Sequence, residues 1–155
     1  MPADRGASLK ARIGQLGLTS RVEFHPAYRP EDAVREAARH TVGLCLEREG
    51  IRNQELTVSN KIFDYHMAGL AVVASDLPGL AAVIERSGGG LLFKPGSPED
   101  LAAKIITLYH NRALLKQLAD NARKFAYREG NRQTEMKKFI DAFRDTCRKR
   151  LGTET

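Results

Sequence analysis

The sequence has little cysteine and no long apolar segment. Among its 155 residues are two cysteines, Cys45 and Cys147, which are far apart and lack the spacing of metal ligands. A disulfide framework is therefore not indicated, and a reducing, cytoplasmic location is expected. No apolar run approaches the roughly 20 residues of a membrane-spanning helix. Residues 1–10 contain no apolar segment that could act as a signal peptide.

The common sequence signatures of catalytic and cofactor sites are also missing. The chain has no G-x-x-x-x-G-K-[ST] loop, and no G-x-G-x-x-G follows a predicted strand. Gly88–Gly90 precedes a strand, which favours a tight turn over a phosphate-binding loop. The four histidines have no metal-ligand spacing, and no Ser–His or Cys–His arrangement suggests a nucleophile. We therefore predict no metal, no cofactor and no identifiable catalytic residue.

Positive charge is concentrated at the C-terminal end. Residues 1–110 hold 13 Lys/Arg and 13 Asp/Glu, whereas residues 111–155 hold 12 and 6, which accounts for the net charge of +6. Such a region could contact nucleic acid, anionic lipid or an acidic protein. The simpler interpretation is a solvated helical face, and it is favoured because no aromatic residues alternate with the charges as in nucleic-acid-binding surfaces.

Short apolar runs alternate with helical patterns along the chain. The four predicted strands are Arg21–Phe24, Val42–Leu46, Ala71–Ala74 and Leu91–Phe93. Most of these runs are continuously apolar, which is typical of a parallel sheet covered on both faces. The sequence therefore predicts an α/β fold: an incomplete Rossmann-like domain with a parallel sheet of about four strands, flanking helices and a helical C-terminus. We expect residues 1–155 to form a single partial domain.

The segment Ser59–Gly69 is the best candidate for a binding site. Ser59 is expected to cap a helix, and Gly69 to end it. Asn60, Lys61 and Asp64 fall on one face near the helix N-terminus, where N–H groups and the helix dipole favour an anion. A capped surface helix with a Lys–Asp pair is the simpler alternative. The predicted location of this helix N-terminus at the carboxyl edge of the sheet favours the binding site, for a ligand with phosphate and hydroxyl groups, over the simpler alternative.

A long polar loop precedes this helix and contains three acidic residues, Glu47, Glu49 and Glu55. They are either simply solvated, or one of them accepts hydrogen bonds from ligand hydroxyls.

Four segments resemble the C-terminal part of GT-B glycosyltransferases of the family 4 type. They are Gly17–Pro26, Glu31–Leu44, Ser59–Ser75 and Gly90–Ala102. The third segment is the most specific, because it resembles the pattern P-N-K-x-F-E-Y-M-A-x-G-x-P-V-V-x-S. The resemblance implies a hexosyltransferase-type enzyme that binds a nucleotide-sugar without a metal.

The resemblance also implies a role for each candidate site residue. Asp64 stands where the family has a glutamate that binds the ribose hydroxyls, and Ser59, Asn60 and Lys61 would face the diphosphate. Many relatives carry a donor-sugar glutamate eight residues before that acid. Leu56 occupies this position here, so the neighbouring Glu55 is the candidate for the sugar contact.

The family's first two strands and its N-terminal acceptor domain have no counterpart in this sequence. We therefore expect the chain to be inactive alone. Its partner would be a missing N-terminal half, or a second copy associating through an open sheet edge. Peripheral contact with a membrane surface is a further possible interaction of the chain, whereas no nucleic-acid partner is expected. The alternative hypothesis is a non-catalytic interaction module that uses the basic C-terminal helices, including Arg148, Lys149 and Arg150. It predicts salt-sensitive binding to nucleic acid or anionic vesicles.

Overall fold

The computed structural model describes residues 3–151, apart from the side chains at positions 3–5, 56, 149 and 151. The chain divides into two compact units, Met1–Pro30 and Glu31–Thr155.

The first unit consists of a helix, α1 (Ala3–Gln15), a 3-10 turn (Thr19–Arg21) and an extended segment. Gly17, at φ +66°, ends the helix, and the N–H of Leu18 reaches back to the Ile13 carbonyl at 3.0 Å. Lys10 Nζ lies 5.1 Å from the centroid of the Phe24 ring.

The strand predicted at Arg21–Phe24 is wrong. Arg21 ends the 3-10 turn, and the residues after it are not assigned to a strand. Val22 has extended dihedral angles, but its side chain and that of Phe24 are exposed. A strand needs ladder hydrogen bonds with a neighbour as well as an extended backbone.

The second unit contains all three strands found in the described range. They are β1 (Val42–Cys45), β2 (Ala71–Ser75) and β3 (Gly90–Phe93). A 3-10 turn (Pro30–Asp32) leads into its helices, which are α2 (Ala33–Ala37), α3 (Arg52–Leu56), α4 (Asn60–Ala68), α5 (Pro78–Ser87), α6 (Pro98–His110), α7 (Arg112–Arg128) and α8 (Arg132–Leu151). The predicted α/β class and helical C-terminus are confirmed, with three strands in place of about four.

The sheet is parallel, in the order β1-β2-β3, with β2 in the centre. All five residues of β2 are buried. Val72 and Ala74 pack with Ile62 and Leu80 on one face, whereas Ala71 and Val73 pack with Leu108, Leu115 and Leu118 on the other. Burial of both faces explains why β2 reads as a continuous apolar run.

The parallel order brings the carboxyl ends of all three strands to one edge of the sheet. α4 begins after the loop that leaves β1 and ends at Gly69, just before β2 starts. The helix therefore runs antiparallel to the strands, and its N-terminus lies at the carboxyl edge, as predicted.

His66 is fully buried in the core between α4 and α7. Its ring meets the Phe125 ring edge-on at 5.8 Å, and neither ring nitrogen has a hydrogen-bond partner. Burial lowers the pKa of this imidazole from 6.5 to about 4, so the side chain is neutral in the folded state.

We expect His66 to make the fold sensitive to mild acid. The unfolded chain takes up a proton on His66 below pH 6.5, whereas the folded chain does so only near pH 4. The free energy of unfolding should therefore fall by roughly 2 to 3 kcal/mol between pH 7.5 and 4.5 because of this residue. Urea unfolding at both pH values measures the difference. His66→Leu should abolish most of the loss, whereas His40→Leu, at an exposed position, should retain it. An equal loss in all three proteins would contradict this assignment.

Candidate functional site

The helix α4 begins as predicted, with Ser59 at its N-cap, but without the predicted side-chain hydrogen bond. Ser59 has extended dihedral angles, and its side chain makes no capping hydrogen bond. Only the Ser59 carbonyl takes part, accepting from the Ile62 N–H at 3.2 Å. Ser59 is therefore the N-cap residue, as predicted, but the predicted hydrogen bond to its hydroxyl is wrong, and the hydroxyl does not occupy the first-turn N–H groups. By contrast, Gly69 ends the helix at φ +76°, as predicted, with hydrogen bonds from Gly69 N and Leu70 N to the last turn.

Close packing on β1 holds α4 against the sheet. Ile62 is fully buried, and the ring of Tyr65 lies directly over Gly43 of β1. A Cβ atom at Gly43 would overlap that ring, so the helix can approach this closely only because residue 43 is glycine.

Three of the predicted site residues lie within the first turn and a half of α4. Asn60 and Lys61 are exposed, and Asp64 is half-buried. Partial burial raises the pKa of the Asp64 carboxyl above its usual 3.8, since desolvation disfavours the charged form. The Lys61–Asp64 pair of the simpler alternative is not seen among the described ion pairs. Instead, Lys61 Nζ lies 3.5 Å from Glu47 Oε1.

The backbone of Glu47, two residues after β1, is anchored by a residue that the sequence did not single out. The Ser75 hydroxyl accepts from the Glu47 N–H at 3.0 Å and donates to the Glu47 carbonyl at 2.8 Å. Ser75 is fully buried at the end of β2, and the Glu47 side chain is only 16% exposed. The backbone of Glu47 is therefore anchored at this edge of the sheet, and its carboxylate lies next to Lys61.

The loop between β1 and α4 is held in place by its own side chains. Gln54 Oε1 accepts from the Arg48 N–H, and Glu55 Oε1 accepts from the Gly50 N–H, both at 2.7 Å. These acceptors lie on α3, a short helix within what the sequence predicted to be an irregular loop. Among the described hydrogen bonds and ion pairs, Glu55 therefore braces the loop and does not contact Lys61. The contact of Glu55 with a donor sugar stays a prediction.

α5 begins next to this loop. A Cβ at Gly79 would come within 2.8 Å of the Thr57 carbonyl oxygen, so the chain segment before α4 and the start of α5 pack without a gap. The start of α5 thus supports the chain segment that leads into α4.

The described residues contain no group of three or more His, Cys, Asp or Glu side chains placed to hold a metal ion. Nor does any helix between residues 3 and 151 have the length and apolar character to cross a membrane.

Known structures share this architecture. A sucrose-phosphate synthase from Thermosynechococcus elongatus superposes with a TM-score of 0.78 at 19% identity, over 93% of this chain and 34% of the other. HepE from Anabaena, solved with UDP, superposes with a TM-score of 0.78 at 23% identity, over 92% of this chain and 37% of HepE. The C-terminal domain of LpcC, a group 1 glycosyl transferase from Francisella tularensis, superposes with a TM-score of 0.64 at 18% identity. The match covers 81% of this chain and 62% of the LpcC domain. The chain thus spans about a third of the length of the first two structures.

These likenesses define the fold as a Rossmann-like half of a GT-B protein, of the C-terminal type. The model of the family "Glycosyl transferases group 1" matches residues 2–111. The chain belongs to this family, which confirms the resemblance found in its sequence. No curated protein matches the chain significantly.

The cysteine nearest to the site is chemically inert. Cys45 is fully buried at the end of β1, and burial raises the pKa of its thiol to about 12, with a smaller opposing effect from Lys61. Cys147 on α8 is partly exposed. Because only the thiolate is nucleophilic, Cys45 cannot act as a nucleophile at neutral pH.

We expect iodoacetamide at pH 8 to modify Cys147 and spare Cys45 in the folded protein, because of this difference in burial. Mass spectrometry of tryptic peptides gives the two extents of labelling. Labelling in urea should modify both residues and serves as the control. Rapid alkylation of folded Cys45 would contradict the packing described for the end of β1.

Proposed function

We propose that this chain is the donor-binding portion of a group 1 glycosyltransferase and binds a nucleotide-sugar at the N-terminus of α4. The observation that supports this most directly is the grouping of Lys61, Asn60 and half-buried Asp64 at the carboxyl edge of a parallel sheet. HepE, which has the same fold, has been solved with UDP and with UDP-glucose.

Each residue has a proposed role. Asp64 accepts hydrogen bonds from the ribose hydroxyls, which suit a carboxylate because it can accept from two adjacent hydroxyls. Its partial burial strengthens those bonds, since the local dielectric constant is lower than in water. Lys61, Asn60, Ser59 and the first-turn N–H groups bind the diphosphate. Glu55 contacts the donor sugar.

The chemistry of transfer would depend on how well this site stabilises the leaving diphosphate. Negative charge grows on the diphosphate as the glycosidic bond breaks, and Lys61 together with the helix N-terminus offsets it. No metal is expected to be needed for this. We further propose that the chain does not transfer sugar by itself, since it spans about a third of the sucrose-phosphate synthase and HepE chains.

Titration of the 15N-labelled chain with UDP, UDP-glucose, GDP and GDP-mannose tests donor binding. We expect the amide signals of residues 60–64 to shift with the two uridine ligands or with the two guanosine ligands. EDTA should leave these shifts unchanged. Asp64→Asn should weaken nucleotide and nucleoside alike by about tenfold, the value of hydrogen bonds to a charged group. Lys61→Gln should weaken binding of the nucleotide but not binding of the nucleoside.

Two variants of exposed α8 residues, Asp141→Asn and Lys137→Gln, make the same charge changes away from the site and should leave binding unchanged. Absence of shifts near α4 with all four ligands would show that the chain does not bind a donor there.

A second candidate function rests on α8. This helix carries seven Lys/Arg and three Asp/Glu, and it exposes Met136, Phe139, Ile140 and Phe143 along one side. The Phe139 and Phe143 rings stack with centroids 6.5 Å apart. An apolar stripe flanked by cations complements an anionic bilayer surface. We propose such a surface as the partner if the chain acts as an interaction module.

Flotation with vesicles tests this second function. The chain should bind phosphatidylcholine vesicles containing 30% phosphatidylglycerol, chosen here as the probe, and should dissociate in high salt because surface charges are screened. Replacing Lys137, Lys138 and Arg144 by Gln should abolish flotation. The matched control replaces Lys104 on α6 and Lys116 and Lys124 on α7 by Gln. This variant should float normally. Equal flotation of all three proteins would exclude α8 as the contact.

A further inference from the structure

The cation of the candidate site is already partly neutralised. Lys61 is 57% exposed and therefore accessible to a ligand, yet Glu47 Oε1 lies 3.5 Å from its Nζ. The Glu47 side chain is only 16% exposed, and its backbone is anchored because its N–H and its carbonyl are both bonded to the hydroxyl of buried Ser75. An anion that binds Lys61 in this arrangement therefore binds near the Glu47 carboxylate.

The distance between the two negative groups can be bounded. A phosphate oxygen bonded to a lysine nitrogen lies about 2.8 Å from it. Because Glu47 Oε1 is 3.5 Å from the same nitrogen, the two oxygens would be at most about 6.3 Å apart. At that separation, near a protein surface, each additional negative charge on the ligand is repelled appreciably.

Glycosylation changes the charge of a diphosphate. A free terminal phosphate loses a second proton near pH 6, by analogy with phosphate monoesters, whereas a sugar-capped phosphate has no second proton to lose. At neutral pH the free nucleoside diphosphate therefore carries one more negative charge than the nucleotide-sugar. That charge lies on the terminal phosphate.

We propose that Glu47 is a specificity-determining residue that weakens binding of the free diphosphate relative to its glycosylated form. It does so by repelling the additional charge of the terminal phosphate beside Lys61. In an enzyme, this would favour exchange of the spent diphosphate for a new donor. The inference rests on the proposed function, because it assumes that a diphosphate binds at Lys61.

Neither of the other loop acids is placed to do the same. Glu49 is exposed, and Glu55 accepts from the Gly50 N–H through Oε1; among the described ion pairs neither acid contacts Lys61. Glu49→Gln is therefore a matched control, since it removes the same charge from the same loop without touching the Lys61 contact.

Isothermal titration of the chain with UDP and UDP-glucose, and in parallel with GDP and GDP-mannose, tests the proposal at pH 8 and pH 5.5. At pH 8, Glu47→Gln should tighten binding of the free diphosphate about fivefold and binding of the nucleotide-sugar about twofold. The gains differ because the carboxylate repels two negative charges on the free terminal phosphate but one on the sugar-capped phosphate. At pH 5.5 the two gains should become equal, since the terminal phosphate is then largely singly charged. Glu49→Gln should change neither affinity, and Glu47→Asp, which keeps the charge, should remain close to the original protein.

The possible failures can be distinguished. If the unaltered chain binds none of the four ligands, the proposed function is wrong and the role of Glu47 falls with it. If the chain binds a donor but Glu47→Gln behaves like Glu49→Gln, or weakens the nucleotide-sugar, only the role of Glu47 is wrong. Should Glu47→Gln fail to fold by circular dichroism, Ser75→Ala takes its place, because it releases the backbone that holds the carboxylate.

Ser75→Ala should tighten binding of the free diphosphate about twofold, by the same relief of repulsion. Its control is Ser87→Ala, which removes another buried hydroxyl that bonds backbone groups but lies at the end of α5. Equal affinities in these two variants would overturn the proposal.

Discussion

The edge of the sheet that carries the candidate site depends on one buried hydroxyl. Ser75 ends β2, and its Oγ bonds to both backbone groups of Glu47, which follows β1 by two residues. Without this link, the N–H and carbonyl of Glu47 would be left without these partners at a largely buried position, which costs more than an ordinary hydrogen bond contributes. The hydroxyl thus continues the β1–β2 pairing beyond the last ladder position, Cys45 opposite Ala74. The direction in which the loop leaves the sheet follows from it.

The regular parts of the fold could be predicted because local patterns and tertiary burial agree. Ala71–Ser75 is apolar at almost every position, and the structure buries it on both faces. Gly69 occupies the left-handed position that ends α4. Ser97 caps α6, where the Asp100 N–H donates to its hydroxyl at 3.2 Å. In each case the residue type has few alternative uses in that position.

The errors occurred where an outcome depends on distant partners. Val22 and Phe24 have the composition of a strand, but strand formation needs a paired neighbour that a local pattern does not reveal. Ser59 is a favoured cap residue, yet its side chain is not used in this way. The Glu47–Ser75 link joins residues 28 positions apart, and neither has a spacing that marks it. The sequence correctly located Asn60, Lys61 and Asp64 near the start of a helix, whereas the approach of Glu47 to Lys61 required the sheet register.

The glycine at position 43 has a further consequence for the site. Because Tyr65 rests on its bare backbone, α4 can lie directly against β1. Any side chain at position 43 would overlap the Tyr65 ring, so either the ring or the helix that carries Lys61 would have to shift. A missing methyl group in a strand thus constrains the position of the helix on which the candidate site lies.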